Sequence, residues 1–248
     1  MMTTLFAAAA ILGAQEAPTQ WKGPDLVSRM LTTYHNRRSA DGTITLVITA
    51  ANQGIRVNTQ LSYLMPSRLY LNQRSEGRTP RSALVISDGK QFMYPAPRTS
   101  RVLNQSPFVY ERVESANGKL QLVGDIYGAA SSSLVDRSIP LDIVINRRSD
   151  LEYMALLLTN LRYTGKKAAG SAEWHTVEGN IRLSPADPPS NRCRFWIDDE
   201  FHLRRFETEE TYKADDGVTN ITTVWRWDLN ITLDEVDKID RNRFTIRR

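Results

Sequence analysis

Two periodicities divide the chain. Between residues 23 and 36 ("GPDLVSRMLTTYHN") apolar side chains recur at helical spacing, with Leu26, Val27, Met30, Leu31 and Tyr34 on one face. Gly23 can cap this helix, Pro24 suits the first helical position, and Asp25 complements the helix dipole in the first turn. "SADG" (39–42) is read as its end. From Thr43 the period drops to two. "TITLVITA" (43–50) alternates around Ile44, Leu46 and Ile48. After the turn "ANQG", the stretch 55–65 sets Ile55, Val57, Thr59, Leu61 and Tyr63 against the mostly polar Arg56, Asn58, Gln60 and Ser62. One apolar face and one polar face mark an antiparallel strand that covers a core on one side only.

The strand pattern continues. Pro66 and Ser67 turn the chain into "RLYLNQRS" (68–75), which carries Leu69 and Leu71. "ALVIS" (83–87), Asp88-Gly89-Lys90 and "QFMY" (91–94) read as a hairpin around an Asp-Gly turn. Ile86, Phe92 and Tyr94 are assigned to its core face. "SRVLN" (100–104), after a bend at "PAPR", is read as a sixth strand. Helical spacing then returns. Residues 117–135 place Leu120, Val123, Ile126 and Tyr127 on one side, and "PLDIVI" (140–145) follows. The stretch 149–161 has Ser149 and Glu152 at capping-box spacing and an apolar stripe of Met154, Leu157, Leu158 and Leu161. Strands resume at Arg162 and include 172–184, a hairpin over 191–212, and 219–235, with Phe244 assigned as a core anchor near the end. The order is helix, about six strands, helices, about five strands. It contains no βαβ alternation and no repeat, which predicts one α+β domain over residues 24–248, antiparallel, with helices packed on one face.

The first residues depart from this pattern. An apolar stretch over 5–13 is too short to span a bilayer and is followed by small and polar residues. Residues 1–14 are read as an export signal and 15–23 as a linker. No cysteine lies near the cleavage point, so a lipid anchor is not expected. The single Cys193 cannot form an internal disulfide and is read as a small buried apolar residue.

Composition narrows the function classes. Of 248 residues 41% are hydrophobic and 24% charged, the balance of an ordinary globular protein, and the net charge is +4. The basic residues are scattered and interleaved with acids, so the focused patch that nucleic acid requires is missing. His35, His175 and His202 are far apart, without metal-ligand spacing. The acids at 198–200, 207–210 and 214–216 flank turns or alternate with arginine, as cross-strand charge pairs do. There is no G-x-S-x-G and no glycine-rich phosphate loop. No enzyme, metal or cofactor is expected. Trp225 and Trp227 share one strand face, where they could pack or stack on a ligand.

Several stretches together carry a resemblance: "LSYLMPSRLYL", "LVISDGKQFMYPAPR", "IPLDIVINRRSDLEYM", "LRYTGKKAAGSAEWHTVEG" and "FWIDDEFHLRRFE", behind an apolar-faced helix. The chain resembles the LolA-like and LolB-like periplasmic lipoprotein carriers, especially the DUF2092-type branch, over most of residues 24–246. The resemblance implies a curved, half-open antiparallel β-barrel of ten or eleven strands with helices on its concave face. In that family the space between sheet and helices holds acyl chains of lipoproteins. It implies a periplasmic, non-enzymatic carrier or binding protein for a lipid or lipidated protein. The alternative is an envelope-stress sensor or adaptor that binds a protein of the inner or outer membrane. An enzyme acting on the envelope would need a clustered polar site, such as His175 with the acids at 198–200.

On the carrier reading, alternation selects the groove lining. From the sheet it selects Leu46, Ile48, Leu61, Tyr63, Leu69 and Leu71, then Ile86, Phe92 and Tyr94, and finally Phe195 and Ile197. Met30, Leu31, Met154, Leu157 and Leu158 are expected to line the helical side. A slip of one residue reverses the face of any of these strands.

Overall fold

A computed structural model describes residues 21–35, 37–50, 53–77, 79–96, 106–145, 148–182, 186, 191–213 and 217–246, without the side chains of 53 and 148–150. The expected export signal, the "SRVLN" strand and the Ser149 cap lie outside what is described. The elements are α1 (Gly23–Tyr34), β1 (Ser39–Ala50), β2 (Gln53–Leu64), β3 (Arg68–Glu76), β4 (Ser82–Asp88), β5 (Gln91–Pro95) and β6 (Phe108–Arg112). After these come α2 (Val123–Ala130), α3 (Ile139–Ile145) and α4 (Arg148–Leu157). The second run of strands is β7 (Leu158–Ala169), β8 (Ala172–Ile181), β9 (Asn191–Ile197), β10 (Leu203–Lys213) and β11 (Asn220–Leu233).

All eleven strands form one sheet in the order β6-β5-β4-β3-β2-β1-β11-β10-β9-β8-β7. Every pairing is antiparallel, and β1 joins the two runs by pairing β11 from Ala40↔Leu233 to Ala50↔Thr223. Among the described residues the sheet does not close: β6 and β7 are its two edges. Helix α1 lies on β7, β8 and β9, α2 lies on β3, β4 and β5, and α3 touches both helices. One helical layer therefore meets both ends of the same sheet face. The right-handed twist between neighbouring strands supplies the curl that this requires. The result is the curved, half-open α+β architecture expected from the sequence.

The amphipathic face of α1 is buried as its spacing predicts, through Leu26, Val27, Met30, Leu31 and Tyr34. The Tyr34 hydroxyl accepts a hydrogen bond from the Leu203 backbone N–H at 3.1 Å and pins the helix end to β10. Burial raises the Tyr34 phenol well above its ordinary value. Lys22, not Gly23, occupies the cap position. Gly23 serves close approach instead: a Cβ there would stand 2.7 Å from the Arg162 backbone N.

Five expectations change. Residues 39–42 begin β1 and do not end the helix, and Gly42 (φ +152°) lets the Asn230 carbonyl come where a Cβ would stand. The helix expected to 161 stops at Leu157, and Leu158 and Leu161 belong to β7. A short apolar run is compatible with either period, and here pairing of Leu158 with Ile181 decides it. Leu120 is 43% exposed, because α2 begins only at Val123. The short β6 has no counterpart among the expected strands. Ile86 lies on the outer face: Ala83, Val85 and Ser87 share the core side of β4, whereas Ile86 stands opposite Tyr70 and Met93.

The outer face is mainly polar where it meets solvent. Arg162, Glu178, Arg194, Glu207 and Arg226 stand opposite one another on β7 to β11, alternating in sign across five strands. Arg194 Nη2 lies 2.9 Å from Glu178 Oε1, and its Nη1 lies 3.4 Å from Glu207 Oε2. Phe244 packs with Leu64 and Ile239 in a small cluster of its own, beside Tyr70, and so anchors the C-terminal segment outside the main core.

Candidate ligand groove

A groove opens at the end of the sheet where β1 turns into β2. Its volume is about 1010 Å³, at the upper end of ordinary small-molecule sites. The floor follows from cross-strand register. Leu46 stands between Val57 on β2 and Trp227 on β11, and Ile48 stands between Ile55 and Trp225. The floor opens toward the mouth: Leu46 is 2% exposed, Ile48 half-buried and Ile55 49% exposed. Glu76, Arg81 and Arg137 stand exposed at the rim.

The wall opposite the floor is the segment 134–137, which joins a 3-10 turn at Ser131–Ser133 to α3. One buried side chain fixes it. The Gln73 Nε2 amide donates to the Asp136 carbonyl at 2.7 Å and to Thr59 Oγ1 at 3.2 Å. Gln73 Oε1 accepts from the backbone N–H of Val135 at 2.8 Å and of Asp136 at 3.1 Å. A segment with no secondary-structure partner thus has three backbone groups satisfied by one amide.

Asp136 lies in this wall, buried, and its Oδ2 accepts the indole N–H of Trp227 at 3.2 Å. Burial pushes the Asp136 carboxyl up to about 6, against the lowering effect of the Trp227 hydrogen bond. Trp225 stacks on Trp227 at 6.2 Å between ring centroids. Trp227 continues inward to Phe206 at 5.6 Å, and Phe206 to Phe195 at 4.8 Å. The two tryptophans therefore divide the roles that the sequence leaves open for both: Trp227 packs in the core and Trp225 lines the groove.

Of the residues expected to line a groove, Leu46 and Ile48 line this one. Leu61, Tyr63, Leu69, Leu71, Phe92, Tyr94, Phe195 and Ile197 meet Met30, Leu31, Met154 and Leu158 in a packed core, with Leu157 half-buried against it. The helices thus fill most of the concave face. Val57 shares the alternation that selected Leu61 and Tyr63. Val135 falls at the end of the stretch read as helical and Asp136 outside every expected element, whereas both lie in a connecting segment, which has no period.

The polar cluster around His175 does form, away from the groove lining. His175 Nδ1 lies 3.1 Å from the Tyr163 hydroxyl and Nε2 lies 3.0 Å from Asp199 Oδ1. Lys166 Nζ reaches the same carboxylate oxygen at 2.7 Å and holds the Asp199 carboxyl below its ordinary value. Trp21 stands edge-on to His175 at 6.0 Å and to Phe201 at 5.8 Å, with the Arg29 guanidinium 5.0 Å over its ring. Asp198, Glu200 and His202 also come together, but Asp198 accepts from Arg204 Nε and from the His202 backbone, each at 2.7 Å. These contacts close the turn between β9 and β10. Cys193 is buried, and burial pushes its thiol up to about 12, which suppresses the reactive thiolate.

Neither family models nor curated proteins match this chain. Solved structures are similar over most of its length. A Mycobacterium tuberculosis lipoprotein, LppX, is 13% identical, covers 85% of this chain and 99% of its own, and superposes with a TM-score of 0.38. A LolA superfamily protein from Nitrosomonas europaea is 9% identical over 91% of this chain and 98% of its own, with a TM-score of 0.29. The Pseudomonas aeruginosa MucA/MucB complex is 10% identical over 91% of this chain and 61% of its own, with a TM-score of 0.44. Superposition at this level fixes neither a family nor a ligand. No described helix is long and apolar enough to cross a membrane.

Proposed function

We propose that this protein is a periplasmic, non-enzymatic carrier or binding protein that holds the acyl chain of a lipid or lipidated protein. The chain lies over Leu46, Ile48 and Val57, between Trp225 and Val135. One observation carries this reading: an apolar groove of about 1010 Å³ stays open beside a core that is otherwise filled. Each buried CH₂ contributes about 0.8 kcal/mol, so ten of them give about 8 kcal/mol before the ordering cost of association. That is enough for specific binding by a site with no catalytic group.

The test is to purify the protein from its own cell envelope, extract it with organic solvent and analyse the extract by mass spectrometry. Wild type is expected to release a stoichiometric acylated species. Ile48→Glu, which places a charge on the half-buried floor, is expected to stay folded and come out empty. An empty wild-type protein, or equal cargo in both, refutes the reading.

A further inference from the structure

We propose that the groove selects an alkyl or acyl chain whose polar end carries a donor nitrogen, a protonated amine or an amide N–H, and that the Asp136 carboxylate receives it. This rests on the acyl-chain reading above and deepens it. A purely apolar groove would take any chain of suitable length, but this one has a carboxylate built into its wall. Asp136 is buried, its backbone is held on both sides by Gln73, and Trp227 orients one of its oxygens. Trp225, stacked on Trp227, lies in the same lining. An indole face beside a carboxylate suits a cationic nitrogen on both counts.

Among the described residues, the other charges of the lining are Glu76, Arg81 and Arg137, all exposed. In water a unit charge acts several-fold more weakly than at a site screened from solvent, so the buried carboxylate outweighs the rim arginines. Asp142, packed nearby, adds a second negative field at Asp136. A chain ending in a free carboxylate would meet both. Burial keeps Asp136 partly protonated near pH 6 and ionised above it, so the preference for a cation grows with pH.

The experiment titrates the full chain with dodecylammonium and with dodecanoate, each below its micelle threshold, by calorimetry. At about pH 8, wild type is expected to bind the amine at least about tenfold more tightly than the carboxylate. Lowering the pH to about 4.5 is expected to weaken amine binding at least about fivefold, because the ligand keeps its charge while Asp136 loses its own. Asp136→Asn is expected to bind both probes alike at the higher pH. Equal affinity of wild type for the two probes, or a preference that survives both Asp136→Asn and acidification, overturns the proposal and leaves the acyl groove standing. Binding of neither probe overturns the acyl groove as well. The pH comparison on wild type decides the matter even if the variant does not fold.

Discussion

Replacing Asp136 by asparagine should stabilise the protein at neutral pH, by an amount that depends on pH in a definite direction. In the folded state the carboxyl is raised from 3.8 to about 6 by burial. The unfolded chain therefore gives up the proton first as pH rises, and folding stability falls between about pH 4 and pH 6. A shift of roughly two pKa units, at about 1.4 kcal/mol each, makes the ionised wild type about 3 kcal/mol less stable at pH 7 than the same site kept neutral. Asparagine stays neutral at every pH and keeps an oxygen to accept the Trp227 indole N–H. Part of the gain is offset because that hydrogen bond loses its charge assistance. Urea denaturation of both proteins from pH 4 to pH 8 measures the difference directly. Asp198, Asp199, Asp234 and Glu178, whose carboxyls are lowered, titrate alike in both proteins and cancel. The variant should match wild type near pH 4 and exceed it by about 2–3 kcal/mol at pH 7. A difference that does not change with pH, or a wild type that gains on the variant as pH rises, refutes the reasoning.

Other outcomes follow from the same contacts. Gln73→Leu leaves three backbone groups of the 135–136 segment without partners and should cost about 3 kcal/mol in chemical denaturation, with faster amide exchange at Val135 and Asp136. Leu61→Ala, at a fully buried core position, should cost about 2–5 kcal/mol yet leave the groove's affinity for dodecylammonium within about twofold, and a selective loss of binding would contradict the division between core and groove. Gly42→Ala should lower the melting temperature by about 10 °C or more, since its Cβ would fall 2.0 Å from the Asn230 carbonyl oxygen. Cys193 should react with a thiol reagent only at the global unfolding rate, so prompt labelling of the native protein would show that β9 is not buried as described.

How much was legible in the sequence differs between fold and site. The two-residue period gave β1, β2, the β4–β5 hairpin and the later strands, because one face of each buries and the other does not. The face of α1 was readable to the residue, from Leu26 to Tyr34. Errors arose where two elements compete for one apolar run. Leu157 ends a helix and Leu158 begins a strand, and nothing local marks the change until β8 supplies a partner. Ile86 misled because "ALVIS" is apolar on both faces: Val85 meets the core, and Ile86 meets Tyr70 across the outer face. The groove was legible only through Leu46 and Ile48. Its other wall depends on Gln73 reaching across more than sixty residues of sequence to Val135 and Asp136, a contact that no periodicity encodes.

Fluorescence quenching by a dodecyl amphiphile brominated on its chain tests the central claim most directly. Trp225 lines the groove, whereas Trp174 and Trp196 pair edge-on on the outer face, and Trp21 lies against His175. A chain seated over Leu46 and Ile48 should quench wild-type emission saturably and at one equivalent, and Trp225→Phe should lower that quenching to the share of Trp227, which stands opposite Leu46, while binding persists by calorimetry. Quenching that is unchanged in Trp225→Phe, or that never saturates, would mean that the chain does not occupy this groove.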